Sequence, residues 1–135
     1  MNEGTYEENL PCSGKLKVTR LTWEIQYYFP GPDLRHNGTF VTVSGNSIDH
    51  YISAFKDNWI EYEHLKSTIP AGGEFTKKGK MGMNIRIGAY HQGVCIKDYH
   101  MPICTKHRVE SIIDGYLYAK EKAQQIQIFL VTLDN

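Results

Sequence analysis

The sequence has no apolar stretch long enough to cross a membrane, and its first residues contain neither a basic region nor an apolar run. We therefore expect no transmembrane helix and no signal peptide, and we predict a cytoplasmic protein that does not bind membranes. There are only three cysteines, an odd number without the spacing of a disulfide framework. This usage is typical of reduced thiols in a reducing compartment, so disulfides are not expected to stabilise the fold.

The chain also has no net charge, but its charges are unevenly distributed. Residues 75–108 contain seven basic residues and one acidic residue, so this segment carries +6, while the other residues, eight basic and fourteen acidic, carry −6. A local positive field attracts anionic partners. Because the acidic remainder would repel a long polyanion, the pattern favours a small anionic ligand over a long nucleic acid.

Length and hydropathy patterns predict one small α+β domain. The first 13 residues are polar and unpatterned, which predicts a flexible N-terminal arm before a single ligand-binding domain over residues 14–135. Alternating apolar residues predict one long strand over residues 15–29, bulged near Thr19 and with Leu21 on its apolar face, followed by a short strand over residues 39–45. Ser47 is then expected to cap a helix that extends to about Lys66.

The second half of the chain has the same order of elements. Alternation predicts a strand over residues 83–91, a turn at Gln92-Gly93, a returning strand over residues 94–101, and a helix capped by Thr105 with Leu117 on its inner stripe. The predicted fold is therefore strand-strand-helix repeated twice, with an antiparallel sheet packed on two helices. The final run IQIFLVTL, residues 126–133, is rich in β-branched residues and favours a last strand, with a continued helix as the alternative.

Two parts of the positive segment could bind an anion before the second helix begins. Lys77, Lys78 and Lys80 lie in a glycine-rich loop whose N–H and ammonium groups could both reach a phosphate, although the Gly-Lys-Ser/Thr ending of a Walker motif is missing. The alternative is a solvated hairpin loop. If the apolar side chains of the following strand face the core, the opposite face carries polar and aromatic groups that suit a nucleotide. These candidates are Asn84, Arg86 and Tyr90, with Phe75 as a further stacking surface.

The start of the second helix is the third candidate site. Thr105 precedes Lys106, His107 and Arg108, which fall in the first helical turn. Cations there oppose the partial positive charge of the free N–H groups, and a bound anion would reverse that penalty. The alternative is that Lys106 and His107 point into solvent and packing alone holds the helix.

Metal and catalytic sites are weaker interpretations of the same segment. The pairs His91/Cys95 and His100/Cys104 could ligate zinc, but a Cys-x2-Cys knuckle is missing and alternation separates Cys95 from His100. Cys104 beside basic residues could be a nucleophile, but no acid is placed to orient a histidine. We therefore expect a protein that is not an enzyme and needs neither metal nor cofactor.

The stretches GKMGMNIRIGAY and TKHRVESIIDGY, together with the order of elements over about residues 15–125, resemble the Thoeris anti-defence family, small phage-encoded proteins that sequester nucleotide immune signals. The resemblance implies a non-enzymatic homo-oligomer that holds a cyclic ADP-ribose-type molecule intact in the host cytoplasm. The exposed apolar surface expected of this small domain also favours an oligomer.

A different class of function remains open at this point. A protein inhibitor or immunity protein would cover the basic site of an enzyme with an acidic surface, whereas a nucleotide-binding protein would use the positive segment. The acids that such an inhibitor would use are Glu3, Glu7, Glu8, Asp57, Glu61 and Glu63.

Overall fold

The computed structural model describes residues 4–29, 38–88, 92–96, 103 and 105–133, and it has the predicted α+β class. Two antiparallel sheets, one of four strands and one of three, pack on two helices. The strands are β1 (Thr5–Leu10), β2 (Gly14–Thr19), β3 (Trp23–Phe29), β4 (Thr39–Ser44), β5 (Phe75–Lys78), β6 (Asn84–Ile87) and β7 (Gly93–Cys95), and the helices are α1 (Ile48–Thr68) and α2 (Lys106–Leu133).

The four-stranded sheet has the order β1-β2-β3-β4, and it corrects the prediction of one long strand over residues 15–29. The chain reverses after β2, where the Thr19 N–H donates to the Thr22 carbonyl at 2.7 Å and the Thr22 N–H donates to Thr19 Oγ1 at 3.1 Å. This turn, rather than a bulge, explains why the alternation of apolar residues before it is out of step with the alternation after it. Leu21 lies in the turn and is 91% exposed, so its predicted place on the apolar face was wrong.

The predicted flexible arm is also corrected, because β1 pairs with β2 along its whole length. Leu10 ends β1 in the core, and Lys15 Nζ lies 3.3 Å from Glu7 Oε2 across the hairpin. Cys12 and Ser13 make the connection with positive φ values of 62° and 60°. Residues 5–10 therefore belong to the folded domain, and ladder hydrogen bonds order a segment whose polar sequence shows no apolar alternation.

The three-stranded sheet has the order β5-β6-β7. Its edge strand β5 contains Lys77 and Lys78 of the predicted glycine-lysine loop, whereas Lys80 lies in the turn that follows. The strand predicted over residues 83–91 is found as β6, and the returning strand as the short β7, with Val94 bridged to Ile103. Ile85 and Ile87 face the core as predicted, with exposures of 1% and 8%. Met83, Gly88 and Ile96 lie just outside these strands, and Gly93 of the predicted turn begins β7. Residues 89–91 and 97–101 of the two predictions lie outside the described residues.

Helix α1 packs on β6, β7 and β4, while α2 packs on β2, β3 and α1. The predicted first helix is found as α1, which buries Ile48, Tyr51, Ile52, Phe55 and Tyr62 in one apolar stripe, and Ser47 occupies its N-cap position without a side-chain hydrogen bond. On α2, Leu117 is 46% exposed, so its predicted place on the inner stripe was wrong. The neighbouring Tyr116 is fully buried and faces the core instead. Among the described residues, no helix is long and apolar enough to span a membrane.

The C-terminal run is helical, so the predicted last strand was wrong. Ala119, Ala123 and Leu130 are buried at helical spacing, and the Gln127 side-chain amide donates to the Thr19 carbonyl at 3.2 Å. These contacts hold the end of α2 against the sheet, and such tertiary contacts outweigh the local preference of β-branched residues for strands.

Candidate functional site

The predicted lysine-rich anion site is largely neutralised by α1. Lys77 Nζ lies 2.8 Å from Glu61 Oε1, and Lys80 Nζ lies 2.7 Å from Asp57 Oδ2. Both pairs are at the surface, where each contributes little stability, but they cancel charge locally. Lys78 is exposed on β5, and Phe75 is 39% exposed at the start of that strand. The sequence asymmetry thus becomes opposite charges side by side in the fold.

A residue that the sequence analysis did not select holds the turn after β5. Asn58 is 3% exposed on α1; its Oδ1 accepts from the Lys80 N–H at 2.9 Å, and its Nδ2 donates to the Lys80 carbonyl at 3.1 Å. Gly79 packs so closely on this amide that a Cβ there would overlap it. A polar residue on the apolar stripe between Phe55 and Tyr62 was the available indication of this role.

The predicted polar face of β6 is present on the second sheet. Asn84 and Arg86 are half-buried on the side of β6 opposite to its core residues. The Arg86 guanidinium lies beside Cys95, where burial raises the pKa of the thiol and Arg86 partly offsets that effect. Tyr90 lies outside the described residues. Arg86 is therefore placed by the second sheet, whereas Arg108 is placed by α2 against the first.

The zinc and nucleophile interpretations depend mostly on residues without a described position. His91, His100 and Cys104 lie outside the described residues, and Cys95 is buried in β7. Within the part of the chain that the structure describes, no group of three His, Cys, Asp or Glu side chains is arranged to hold a metal ion.

The start of α2 is built as predicted. Thr105 Oγ1 accepts a hydrogen bond from the Arg108 N–H at 3.3 Å, which is the N-cap geometry. Lys106 is mostly exposed, and its Nζ lies 4.0 Å from Glu110 Oε1, one turn further along the helix. His107 is exposed and Arg108 half-buried, so these two side chains beside the free N–H groups differ in how closely they pack on the fold.

Thr105, His107 and Arg108 line an open cleft of about 670 Å³, which we call the basic cleft. The connection between β1 and β2 and Tyr28 of β3 complete the lining of the cleft, and the Tyr28 ring packs against Phe40 with 5.0 Å between ring centres. Its lining residues are Cys12, Ser13, Tyr28, Thr105, His107, Arg108 and Ser111. The predicted site residues Thr105, His107 and Arg108 thus lie together. The lining residues from the β1–β2 connection and from β3 were not predicted.

A second cleft of about 420 Å³, the acidic cleft, adjoins the first and shares Ser111 with it. Its lining residues are Glu8, Asn9, Leu10, Pro11, Tyr27, Ser111, Asp114, Gly115 and Tyr118. The hydroxyls of Tyr118 and Tyr6 each donate to one Glu8 carboxylate oxygen at 2.6 Å, which lowers the pKa of Glu8. The same Glu8 hydrogen bond raises the pKa of Tyr118 to about 12, so this hydroxyl remains a donor at neutral pH.

The predicted site residues therefore fall into three groups held by different neighbours. Thr105, His107 and Arg108 meet in the basic cleft, Lys77 and Lys80 pair with α1, and Asn84 and Arg86 lie on β6. No family model, curated protein or solved structure matches the chain. The resemblance to the Thoeris anti-defence family accordingly stays a prediction.

Proposed function

We propose that the chain is a non-enzymatic, cytoplasmic binding protein that sequesters a small phosphorylated, nucleotide-derived signalling molecule. In line with the resemblance to the Thoeris anti-defence family, that molecule is of the cyclic ADP-ribose or cyclic oligonucleotide type, and its capture antagonises host immune signalling. The observation that carries the proposal is the basic cleft, which brings a capped helix N-terminus together with His107, Arg108 and Tyr28.

The chemistry of the basic cleft suits a phosphate attached to a flat group. A phosphate at the start of α2 would accept hydrogen bonds from free backbone N–H groups and pair with the Arg108 guanidinium. Tyr28 is the aromatic residue among the lining residues, and aromatic side chains can stack on bases. The volume of about 670 Å³ lies within the range of small-ligand sites.

Phosphorylated nucleotides are expected to stabilise the folded protein. A ligand that binds only the native state adds about 2.7 kcal/mol to the free energy of unfolding at a hundredfold excess over Kd. A thermal-shift screen with cyclic dinucleotides, cyclic trinucleotides and ADP-ribose derivatives measures this, with the corresponding nucleosides as uncharged controls. An unchanged melting temperature with every phosphorylated compound would contradict the proposal.

The acidic surface of the alternative inhibitor function is mostly engaged within the chain. Asp57 and Glu61 pair with lysines, Glu7 pairs with Lys15, and Glu8 accepts from two tyrosine hydroxyls. Glu63 is exposed, and Glu3 lies outside the described residues. Because acids already paired within the chain attract a basic enzyme less strongly, these contacts favour the ligand-binding function.

We further propose that the protein is a homodimer or larger closed oligomer formed through the C-terminal part of α2. Ile128, Phe129 and Leu133 are 70%, 48% and 61% exposed, and no charged residue occurs between Lys122 and Leu133. An uncharged apolar helix surface can pair with its own copy without electrostatic repulsion.

Light scattering across a range of protein concentrations is expected to give a mass of at least two chains. Replacing Ile128 by Glu should shift that mass towards the monomer, because a charge would be buried in the interface. The matched control is Gln124→Glu, which adds the same charge at an exposed polar position of α2. A monomeric mass at every concentration would overturn this proposal.

A further inference from the structure

The outer face of the four-stranded sheet carries an aromatic pair next to the basic cleft. Tyr28 of β3 and Phe40 of β4 are direct partners in the sheet register, and their rings pack with 5.0 Å between centres at an angle of 51°. Both alternate with buried residues of their strands, so they lie on the face that points away from the core. Phe40 is 58% exposed, so its ring presents apolar surface to solvent.

This pair is continuous with the basic cleft. Tyr28 lines the cleft, and its backbone N–H donates to the carbonyl of Ser13, another lining residue, at 3.3 Å. A Cβ at Gly38 would overlap the Tyr28 hydroxyl, so glycine allows the chain before β4 to approach this side chain closely. Phe40 is not a lining residue itself. It therefore extends the aromatic surface from the cleft onto the open face of the sheet.

A polar pair lies beside the aromatic pair on the same face. Gln26 precedes Tyr28 by two residues, and its side-chain amide donates to Thr42 Oγ1 at 3.2 Å across the strands. An amide has two N–H donors and one carbonyl acceptor, which is more than the bond to Thr42 uses. A nucleobase has a flat face that stacks on aromatic rings and an edge of donors and acceptors. This corner of the sheet offers a partner for each.

We propose that Phe40, supported by Tyr28, is a base-stacking residue that determines which ligands the basic cleft accepts. The start of α2 takes the phosphate, and the outer face of the sheet takes a nucleobase joined to it through the sugar. The ligand class is then a phosphorylated compound that bears a base, rather than a base-free sugar phosphate. This inference rests on the proposed nucleotide function and adds to it a residue outside the cleft and the ligand group that it contacts.

Calorimetric titration of the full chain with three probes tests the inference. ADP-ribose and cyclic di-AMP bear bases, whereas 5-phosphoribosyl diphosphate carries more phosphate charge than ADP-ribose but no base. We expect at least one base-bearing probe to bind about fivefold or more tightly than the base-free probe. Phe40→Ala should weaken the tighter base-bearing probe by about tenfold, the size of one lost base–aromatic stack, and should leave the base-free probe within about twofold. Phe40→Tyr keeps the ring and should retain the parent affinity.

Leu21→Ala is the matched control, because Leu21 is a 91% exposed apolar residue of the β2–β3 turn and does not line the cleft. It should leave every affinity within about twofold. Phe40→Leu keeps apolar volume against Tyr28 and should also weaken the base-bearing probe, which keeps the test decisive if Phe40→Ala disturbs the sheet. Arg108→Glu should weaken all three probes, because it acts on the phosphate.

The two ways to fail are distinguishable. If the base-bearing probes bind but Phe40→Ala and Phe40→Leu change them no more than Leu21→Ala does, or weaken the base-free probe equally, Phe40 is not a base-stacking residue and the proposed function stands. If none of the three probes binds the parent protein, the proposed function fails and this inference fails with it.

Discussion

Replacing Arg108 by glutamate is expected to leave the ligand-free protein folded and slightly more stable, while nucleotide binding falls by more than about tenfold. Arg108 lies in the first turn of α2, where a cation opposes the helix dipole and an acid matches it, an effect of a few tenths of a kcal/mol. In the occupied cleft the same change removes a charge-assisted contact and adds repulsion, which costs at least ~1.5 kcal/mol. Stability and affinity should therefore change in opposite directions.

Urea denaturation of the ligand-free protein gives the first quantity, and calorimetry with the most stabilising nucleotide of the thermal screen gives the second. Lys106→Glu is the matched control, because Lys106 lies in the same turn but does not line the basic cleft. It should change binding by only a few-fold. Destabilisation of the empty protein by several kcal/mol would instead identify Arg108 as a structural partner of a buried carboxylate. Unchanged affinity would remove the basic cleft as the nucleotide site.

The helices could be predicted from the sequence because their evidence is local. The apolar stripe of α1 repeats every three or four residues, and the hydrogen bond by which Thr105 caps α2 joins two residues only three positions apart in the chain. The β2–β3 hairpin could not be predicted from the sequence, because a bulge and a tight turn both change which alternate residues are apolar. Strand β1 was missed since Glu8 lies half-buried under two tyrosine hydroxyls, and a pattern of apolar residues does not show that contact.

Some residues of the candidate site could likewise be predicted from the sequence, and others could not. The cations at the start of α2 could be found from the sequence, because a helix N-terminus and its first turn are adjacent in the chain. The contribution of Tyr28 and of the β1–β2 connection could not be predicted, since the packing of α2 on β2 and β3 brings them to the basic cleft. The pairing of Lys77 with Glu61 and of Lys80 with Asp57 also depends on tertiary structure. A count of charge along the chain therefore overestimates the positive field near β5.

Replacing Asn58 by alanine is expected to lower the free energy of unfolding by about 2–4 kcal/mol. The side chain is 3% exposed, and it pairs with both backbone groups of Lys80, at 2.9 Å and 3.1 Å. Truncation leaves that N–H and carbonyl without their partners and opens a cavity beside Gly79. Urea denaturation measures the loss. Asn46→Ala, at an exposed position of the turn before α1, should stay within about 0.5 kcal/mol of the parent protein.

Asn58→Asp separates the lost hydrogen bond from the lost volume, because aspartate has nearly the same shape. Its carboxylate can still accept from the Lys80 N–H but cannot donate to the Lys80 carbonyl, and burial disfavours its charge. Burial raises the pKa of such a group, so its folded-state penalty is largest at neutral pH and shrinks as pH falls towards about 4, where the carboxyl is protonated and can donate again. The difference in stability between Asn58→Asp and the parent protein should therefore narrow on acidification, whereas that of Asn58→Ala should not. Equal pH dependence of the two variants would mean that burial does not perturb the introduced carboxyl, and it would contradict the buried, hydrogen-bonded position of this side chain.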